Sequence, residues 1–282
     1  MTGTGFLILR RSKLAAILAN MKIDKFDNGK DFDFGKTSLD YSKYRDIYPD
    51  SMYEKLFNLG IGLKSQNILD LGTGTGVFPR AMHKYGAKFT GIDISEEQIK
   101  YAKFLSEKSN MEIQYRVCSA ESTGLDSDEY DIISAVQCFQ YFNREKLVPE
   151  MKRLLKKDGK ILIIFMPWLP YESKIAEETE KLVLKYNPNW TGGGQKRTNA
   201  EDLHYLSKIM DIEKIFGYTE NLEFNYETWA GRIRACRGVS AALPEEEVAE
   251  FNKEHLVLLK KITEEPFQII HEIKIGIFRI NF

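Results

Sequence analysis

The stretch Ile68-Leu69-Asp70-Leu71-Gly72-Thr73-Gly74-Thr75-Gly76-Val77 constrains the fold of this 282-residue chain more than any other. A short apolar strand runs into a turn with glycine at every second position, and helical sequence follows. Such a turn lets backbone approach a ligand with no side chain in the way. Val77 stands where a dinucleotide fingerprint wants its last glycine, which argues against a pyrophosphate ligand on the helix amino end. Asp70, just before the turn, suits a positively charged amino-acid group better than a phosphate. Asp93 closes the next strand in Gly91-Ile92-Asp93, where a carboxylate can accept from both hydroxyls of a ribose.

The pattern around that turn alternates. Short apolar runs at Asn67–Leu71, Lys88–Asp93, Glu112–Cys118, Tyr130–Val136 and Lys160–Phe165 read as buried parallel strands. Helical sequence lies between several of them. Ser95-Glu96-Glu97-Gln98 reads as a capping box, and another helix closes near Leu154-Leu155 with Gly159 suited to a left-handed cap. After Pro167 the rhythm changes: helices are expected over 172–186, 226–237 and 244–262, and strands over 213–224 and 267–278. The expected fold is α/β, a Rossmann-like three-layer sandwich with a mostly parallel seven-stranded sheet and a helical cover over its carboxyl edge. Residues 1–20 read as an extension outside the fold, with a transit peptide as the alternative. Residues 21–64 read as an amino-terminal helical lid, 65–168 as the cofactor-binding core, and 169–282 as the cover plus the final two strands.

Composition excludes several classes. Hydrophobic residues make up 43% and charged residues 29%, an ordinary globular mix. A formal net charge of −1 gives no basic surplus for nucleic acid. No apolar run approaches the roughly 18–20 residues that span a bilayer. Cys118, Cys138 and Cys236 lie far apart, as do the four histidines, so no metal site is read and a reduced, cytoplasmic protein is expected.

The glycine turn with Asp70 and Asp93 resembles that of the class I S-adenosylmethionine-dependent methyltransferases, over roughly residues 40–168. The resemblance implies S-adenosylmethionine as cofactor and S-adenosylhomocysteine as product. Gly72, Thr73, Gly74 and Gly76 would hold the methionine part, with Asp70 beside them. Asp93 would take the ribose hydroxyls and Ile94 would pack on the adenine. The adenine pocket would continue through Ser119, Ala120 and Glu121. The family usually has Asp where Ser119 stands, which leaves Ser119 or Glu121 to accept from the adenine amino group.

Two further segments bear on the acceptor. Ala135-x-Gln137-x-x-Gln140-Tyr141-Phe142-Asn143 resembles a segment of methyltransferases similar to trans-aconitate methyltransferase, with Gln140 in place of a histidine. An amide takes no proton near neutral pH, so no general base is assigned. Tyr41-x-x-Tyr44-Arg45-x-x-Tyr48-Pro49 resembles the opening segment of the same group. On a helix, 41, 44, 45 and 48 share one face, which would bring Tyr41 and Arg45 to the cofactor carboxylate and Tyr44 to the acceptor. Gln137 is expected beside the cofactor, and Gln140 and Tyr141 on the acceptor side. Downstream, Trp229, Ile233 and Cys236 form an apolar stripe, while Arg234 and Arg237 fall together on another face. Trp229 is expected at the acceptor, with Arg234 and Arg237 clamping a carboxylate. The expected function is therefore methyl transfer to a small, carboxylate-bearing acceptor. The competing reading is a non-catalytic nucleotide-binding protein on the same fold.

Overall fold

The structure is a computed structural model that describes residues 26–280. The reading of 1–20 as an extension lies outside the described residues. Seven strands form one sheet: β1 (Asn67–Leu71), β2 (Lys88–Asp93), β3 (Ile113–Val117), β4 (Tyr130–Val136), β5 (Leu155–Phe165), β6 (Asp211–Phe224) and β7 (Phe267–Arg279). Their order is β3-β2-β1-β4-β5-β7-β6. The pairings from β3 to β5 are parallel, and β7 runs antiparallel to both β5 and β6. β1 and β4 are central, with layers on both faces, so they carry continuous apolar sequence rather than alternation. Ile68, Leu69, Ile132 and Ile133 are accordingly buried.

Helices cover both faces. α1 (Ser38–Tyr44), α2 (Asp50–Asn58) and α3 (Val77–Met82) precede or follow β1. α2 and α3 bury Met52, Leu56, Phe78 and Met82 in one core with Ile68, Ile164 and Ile275. α4 (Glu96–Lys108) packs Ile99 and Ala102 on Tyr115. α5 (Arg144–Leu154) and the 3-10 segment Glu201–Lys208 form the core of the opposite face with Leu69, Ile133 and Phe278. The result is the Rossmann-like three-layer arrangement. α6 (Lys174–Tyr186), α7 (Tyr226–Arg234) and α8 (Glu245–Ile262) build a separate third core around Trp168, Trp229 and Phe251. Among the described residues no helix is long and apolar enough to cross a membrane.

Four local expectations need correction. The Ser95 hydroxyl does cap α4, accepting from the Gln98 N–H at 3.3 Å. Gln98 does not complete the box, because its amide donates instead to the Phe34 carbonyl at 2.9 Å. β5 starts at Leu155, earlier than expected, because Leu155 pairs with Tyr130 ahead of a register shift. Gly159 is therefore inside a strand and is not a left-handed cap. Its bare α-carbon admits Leu155, whose Cδ2 lies 2.7 Å from where a Cβ would be. α1 ends at Tyr44, so Tyr48 does not share its face. Pro49 disfavours a helical residue before it, and the chain reaches α2 through an extended link. α7 ends at Arg234 with Ala235 as its cap, so Arg237 lies beyond the helix and the two arginines share no face.

Candidate active site

A cavity of about 570 Å³ lies beyond the carboxyl ends of β1, β2, β4 and β5, a volume suited to a small ligand. Gly72 and Gly74 line its floor. Gly74 has φ +56°, and a Cβ there would sit 3.3 Å from the Tyr41 ring, filling the cradle as well as straining the backbone. Gly76 has φ +75° and its missing Cβ leaves room for the Tyr115 hydroxyl. Gly76 and Thr73 shape the turn without lining the cavity.

Asp93 lines the cavity and also braces the loop. One carboxylate oxygen accepts from the Gly74 N–H and the other from the Ser95 N–H, both at 2.9 Å. Burial raises the carboxyl above its ordinary range, and these backbone hydrogen bonds oppose the shift. Asp70 stands elsewhere than expected. It is buried beneath the loop, off the cavity wall, and accepts from the Ser134 hydroxyl at 2.7 Å. Burial pushes it up to about 7, with that hydrogen bond opposing.

Ile94, Ser119, Ala120 and Glu121 line one end of the cavity. Ser119 donates its hydroxyl proton to one Glu121 carboxylate oxygen, while the other accepts from the Asn143 N–H at 3.0 Å. The two residues that the sequence left as alternatives thus form one hydrogen-bonded unit.

On the opposite side, Tyr41 and Arg45 line the wall together, the guanidinium 4.8 Å from the Tyr41 ring centre. Gln137 follows β4 with φ +62°, an uncommon conformation for a residue with a side chain. Its N–H donates to the Ile164 carbonyl at 2.8 Å and its amide to the Met166 carbonyl at 2.9 Å, which hold it there. Gln140 donates back to the Gln137 carbonyl at 3.1 Å. Tyr141 sits among Phe26, Phe32 and Phe34, with ring centres between 5.3 and 5.8 Å away. Among the described residues no histidine lines the cavity.

The remaining acceptor-side expectations are not met by position. Trp229 is fully buried in the third core, and its indole N–H donates to Thr179 at 3.1 Å. Tyr44 packs on Gly231 and donates to Glu227 at 2.9 Å. Arg234 is held by Asp40, at 2.8 and 3.0 Å, in a two-pronged pair that ties α7 to α1. None of these three lines the cavity. Arg237 does, but it is committed to buried Asp27 at 2.8 Å and stacks on Phe26. A clamp made of Arg234 and Arg237 is therefore not present, since each already has a carboxylate of the chain.

Sequence reasoning missed two components. The strap 26–37 roofs the cavity with Phe26 and Phe34, fastened by the Asp27–Arg237 pair and by Gln98. Its contacts join residues far apart in sequence, and no local pattern marks it. Arg232 is the other. It is 2% exposed, lines the cavity and lies over the Trp168 ring at 5.0 Å. A signal for it existed: it falls three residues after Trp229 and four before Cys236, on the apolar stripe itself.

Comparison with known proteins agrees with this geometry. Residues 69–163 match the family described as a methyltransferase domain. A ubiquinone biosynthesis O-methyltransferase of Pelagibacter ubique is 29% identical over 163 residues, covering 57% of this chain and 68% of that protein. A protein of Dictyostelium discoideum named as a putative methyltransferase is 26% identical over 235 residues, covering 78% and 84%. The YcgJ protein of Bacillus subtilis shares the fold, with a TM-score of 0.53 at 16% identity, over 83% of this chain and all of that one. The cradle has room for the cofactor of such enzymes: Gly72 and Gly74 allow close approach to the backbone, and the Asp93 carboxylate lines the same cavity. Residues 69–163 are thus a methyltransferase domain of the class I S-adenosylmethionine-dependent type, with S-adenosylmethionine as its cofactor.

Proposed function

We propose that the protein methylates an oxygen of a small, carboxylate-bearing acceptor taken into the 570 Å³ cavity. The observation that carries the reading is the lack of a proton acceptor on the described wall. No histidine lines it, and its carboxylates are engaged: Asp93 by two backbone N–H groups, Glu121 by Ser119 and Asn143, and Asp202 by Lys274. An acceptor that must lose a proton would find no base here. A carboxylate arrives already ionised and needs none. The likeness of 41–49 and 135–143 to trans-aconitate methyltransferases supports the same class. Relatives named as ubiquinone biosynthesis O-methyltransferases support oxygen as the methylated atom.

Bound S-adenosylmethionine supplies a methyl group activated by its sulfonium. The chain's own residues supply position. Gly72, Gly74 and Asp93 would hold the methionine and ribose parts, Ile94 and the Ser119–Glu121 unit the adenine, and Tyr41 with Arg45 the carboxylate of the cofactor. Gln137, fixed at the end of β4, orients the wall between cofactor and acceptor. Phe26, Phe34 and Tyr141 exclude water. Holding reactants in attack geometry can contribute up to roughly 7–11 kcal/mol, enough to dispense with acid–base help. Three unpaired cysteines fit a reducing compartment such as the cytoplasm.

The test is incubation with S-adenosylmethionine and a metabolite library, following S-adenosylhomocysteine release and then treating the product with alkali. A methyl ester yields methanol. A product that survives alkali, or turnover confined to amines and neutral compounds, would remove the carboxylate reading.

A further inference from the structure

The geometry points to Arg232 as the residue that selects the acceptor, by binding its anionic oxygen group inside the cavity. This rests on the reading of a small carboxylate acceptor and assigns it a receptor that sequence reasoning overlooked.

Arg232 is a buried cation with no carboxylate opposite it among the described residues. A guanidinium has five N–H donors in a fixed fork. Here one of them meets a protein acceptor, the Cys236 Sγ at 3.2 Å, and the Nε is buried without a partner. The other compensation is the face of Trp168. Its surroundings add to the cost of the charge, because Arg45 is close enough to oppose it and has no carboxylate partner among the described residues. Burial, followed by the charge of Arg45, lowers the guanidinium to about 10, so it remains protonated at neutral pH.

The contrast with the other arginines of this region is what gives the observation weight. Arg234 has Asp40 and Arg237 has Asp27. Buried charges in proteins are paired almost without exception. A fold that neutralises two neighbouring arginines and, among the described residues, gives a third on the cavity wall no carboxylate leaves that position for a charge from outside. The five-donor fork matches a carboxylate, which can accept two parallel hydrogen bonds from it. Arg45 beside Tyr41 would meet the cofactor carboxylate, which leaves Arg232 for the acceptor.

Variants Arg232→Met and Arg232→Lys test this by calorimetry on the S-adenosylhomocysteine complex. The probes are a panel of short aliphatic and aromatic mono- and dicarboxylates, each beside its neutral amide. The wild type should bind at least one carboxylate and ignore its amide. Arg232→Met should weaken that binding roughly 10- to 100-fold, the range for a lost charge-assisted hydrogen bond. Arg232→Lys should retain part of it, keeping the charge but not the fork. S-adenosylhomocysteine affinity should stay within about threefold. The melting temperature of Arg232→Met should hold or rise, because an unpaired buried charge is removed.

Three outcomes overturn the assignment. Arg232→Met could bind carboxylates as the wild type does. It could lose S-adenosylhomocysteine affinity in parallel, which would make Arg232 a cofactor contact. Both variants could melt lower and lose every ligand together, which would make it structural. A wild type that binds no carboxylate yet methylates a neutral compound or an amine overturns the acceptor reading itself, whatever the variants do.

Discussion

One side of the cavity comes from one continuous stretch, from β1 through Glu121. The other side draws on Tyr41, Gln137, Trp168 and Arg232, each from a different part of the chain. The first side works largely through backbone: positive φ at Gly72, Gly74 and Gly76, and N–H groups that fix Asp93. The second works through side chains whose partners are set by packing. A backbone device must be written into consecutive residues, because only local sequence controls φ. A side-chain device can be assembled from any elements that the fold brings together, so its chemistry is not visible in one stretch.

The comparison predicts different responses to mutation, and the largest belongs to the cover. Trp229→Ala should cost about 3–5 kcal/mol of stability, as expected for emptying a fully buried indole site. Denaturant unfolding measures the loss, and the folded fraction should still bind S-adenosylhomocysteine normally. If stability held while acceptor KM rose, Trp229 would be a pocket residue after all and the two regions would not divide as described.

Asp93→Ala should act the other way, on binding more than on stability. Calorimetry with S-adenosylhomocysteine should register a loss of about 1.5–3 kcal/mol, the value of charge-assisted hydrogen bonds to a ligand. An unchanged affinity would mean that Asp93 serves only to brace the Gly74 and Ser95 N–H groups.

Asp70 sharpens the comparison through pH. Its carboxyl is raised by burial from the ordinary 3.8 to about 7 in the folded protein. The native state therefore holds a proton that the unfolded chain has released. This contribution to stability is fully present below pH 3.8 and is lost as pH rises through 7. Asp93 and Glu180, raised by burial as well, act in the same direction. Asp70→Asn should flatten the fall in stability between about pH 5 and 8, read from denaturant midpoints across that range. A slope identical to the wild type would show that the carboxyl ionises freely beneath the loop.

The smallest effect is expected at Arg234. Arg234→Ala removes a partly exposed pair with Asp40, worth about 1 kcal/mol. Turnover of an acidic acceptor should change by no more than a few-fold in steady-state kinetics. A collapse of turnover with stability intact would restore Arg234 to the acceptor site.

The strands around the glycine turn were legible because buried parallel strands are continuous apolar runs and the elements between them are helical. β1, β2 and β4 begin and end where those runs do. Boundaries slipped where tertiary pairing overrode local signals, as at Leu155 and Gly159. At Tyr48 the helical period runs up against Pro49, which disfavours a helical residue before it. The arginine segment taught the most. Arg234 and Arg237 stood out as polar residues off the apolar stripe, whereas Arg232 stood on it.

By itself the sequence determined the alternating sheet, the glycine turn, and the acid that closes the next strand, because each depends on residues near one another and on backbone geometry. It did not determine which cavity arginine would lack a carboxylate among the described residues. Asp27 lies 210 residues before Arg237, and Asp40 lies 194 before Arg234. Only the packing of strap and α1 against the cover decided that those two charges are neutralised and that Arg232 is not. Charge compensation depends on distance in space, and the chain sets that distance only when it folds.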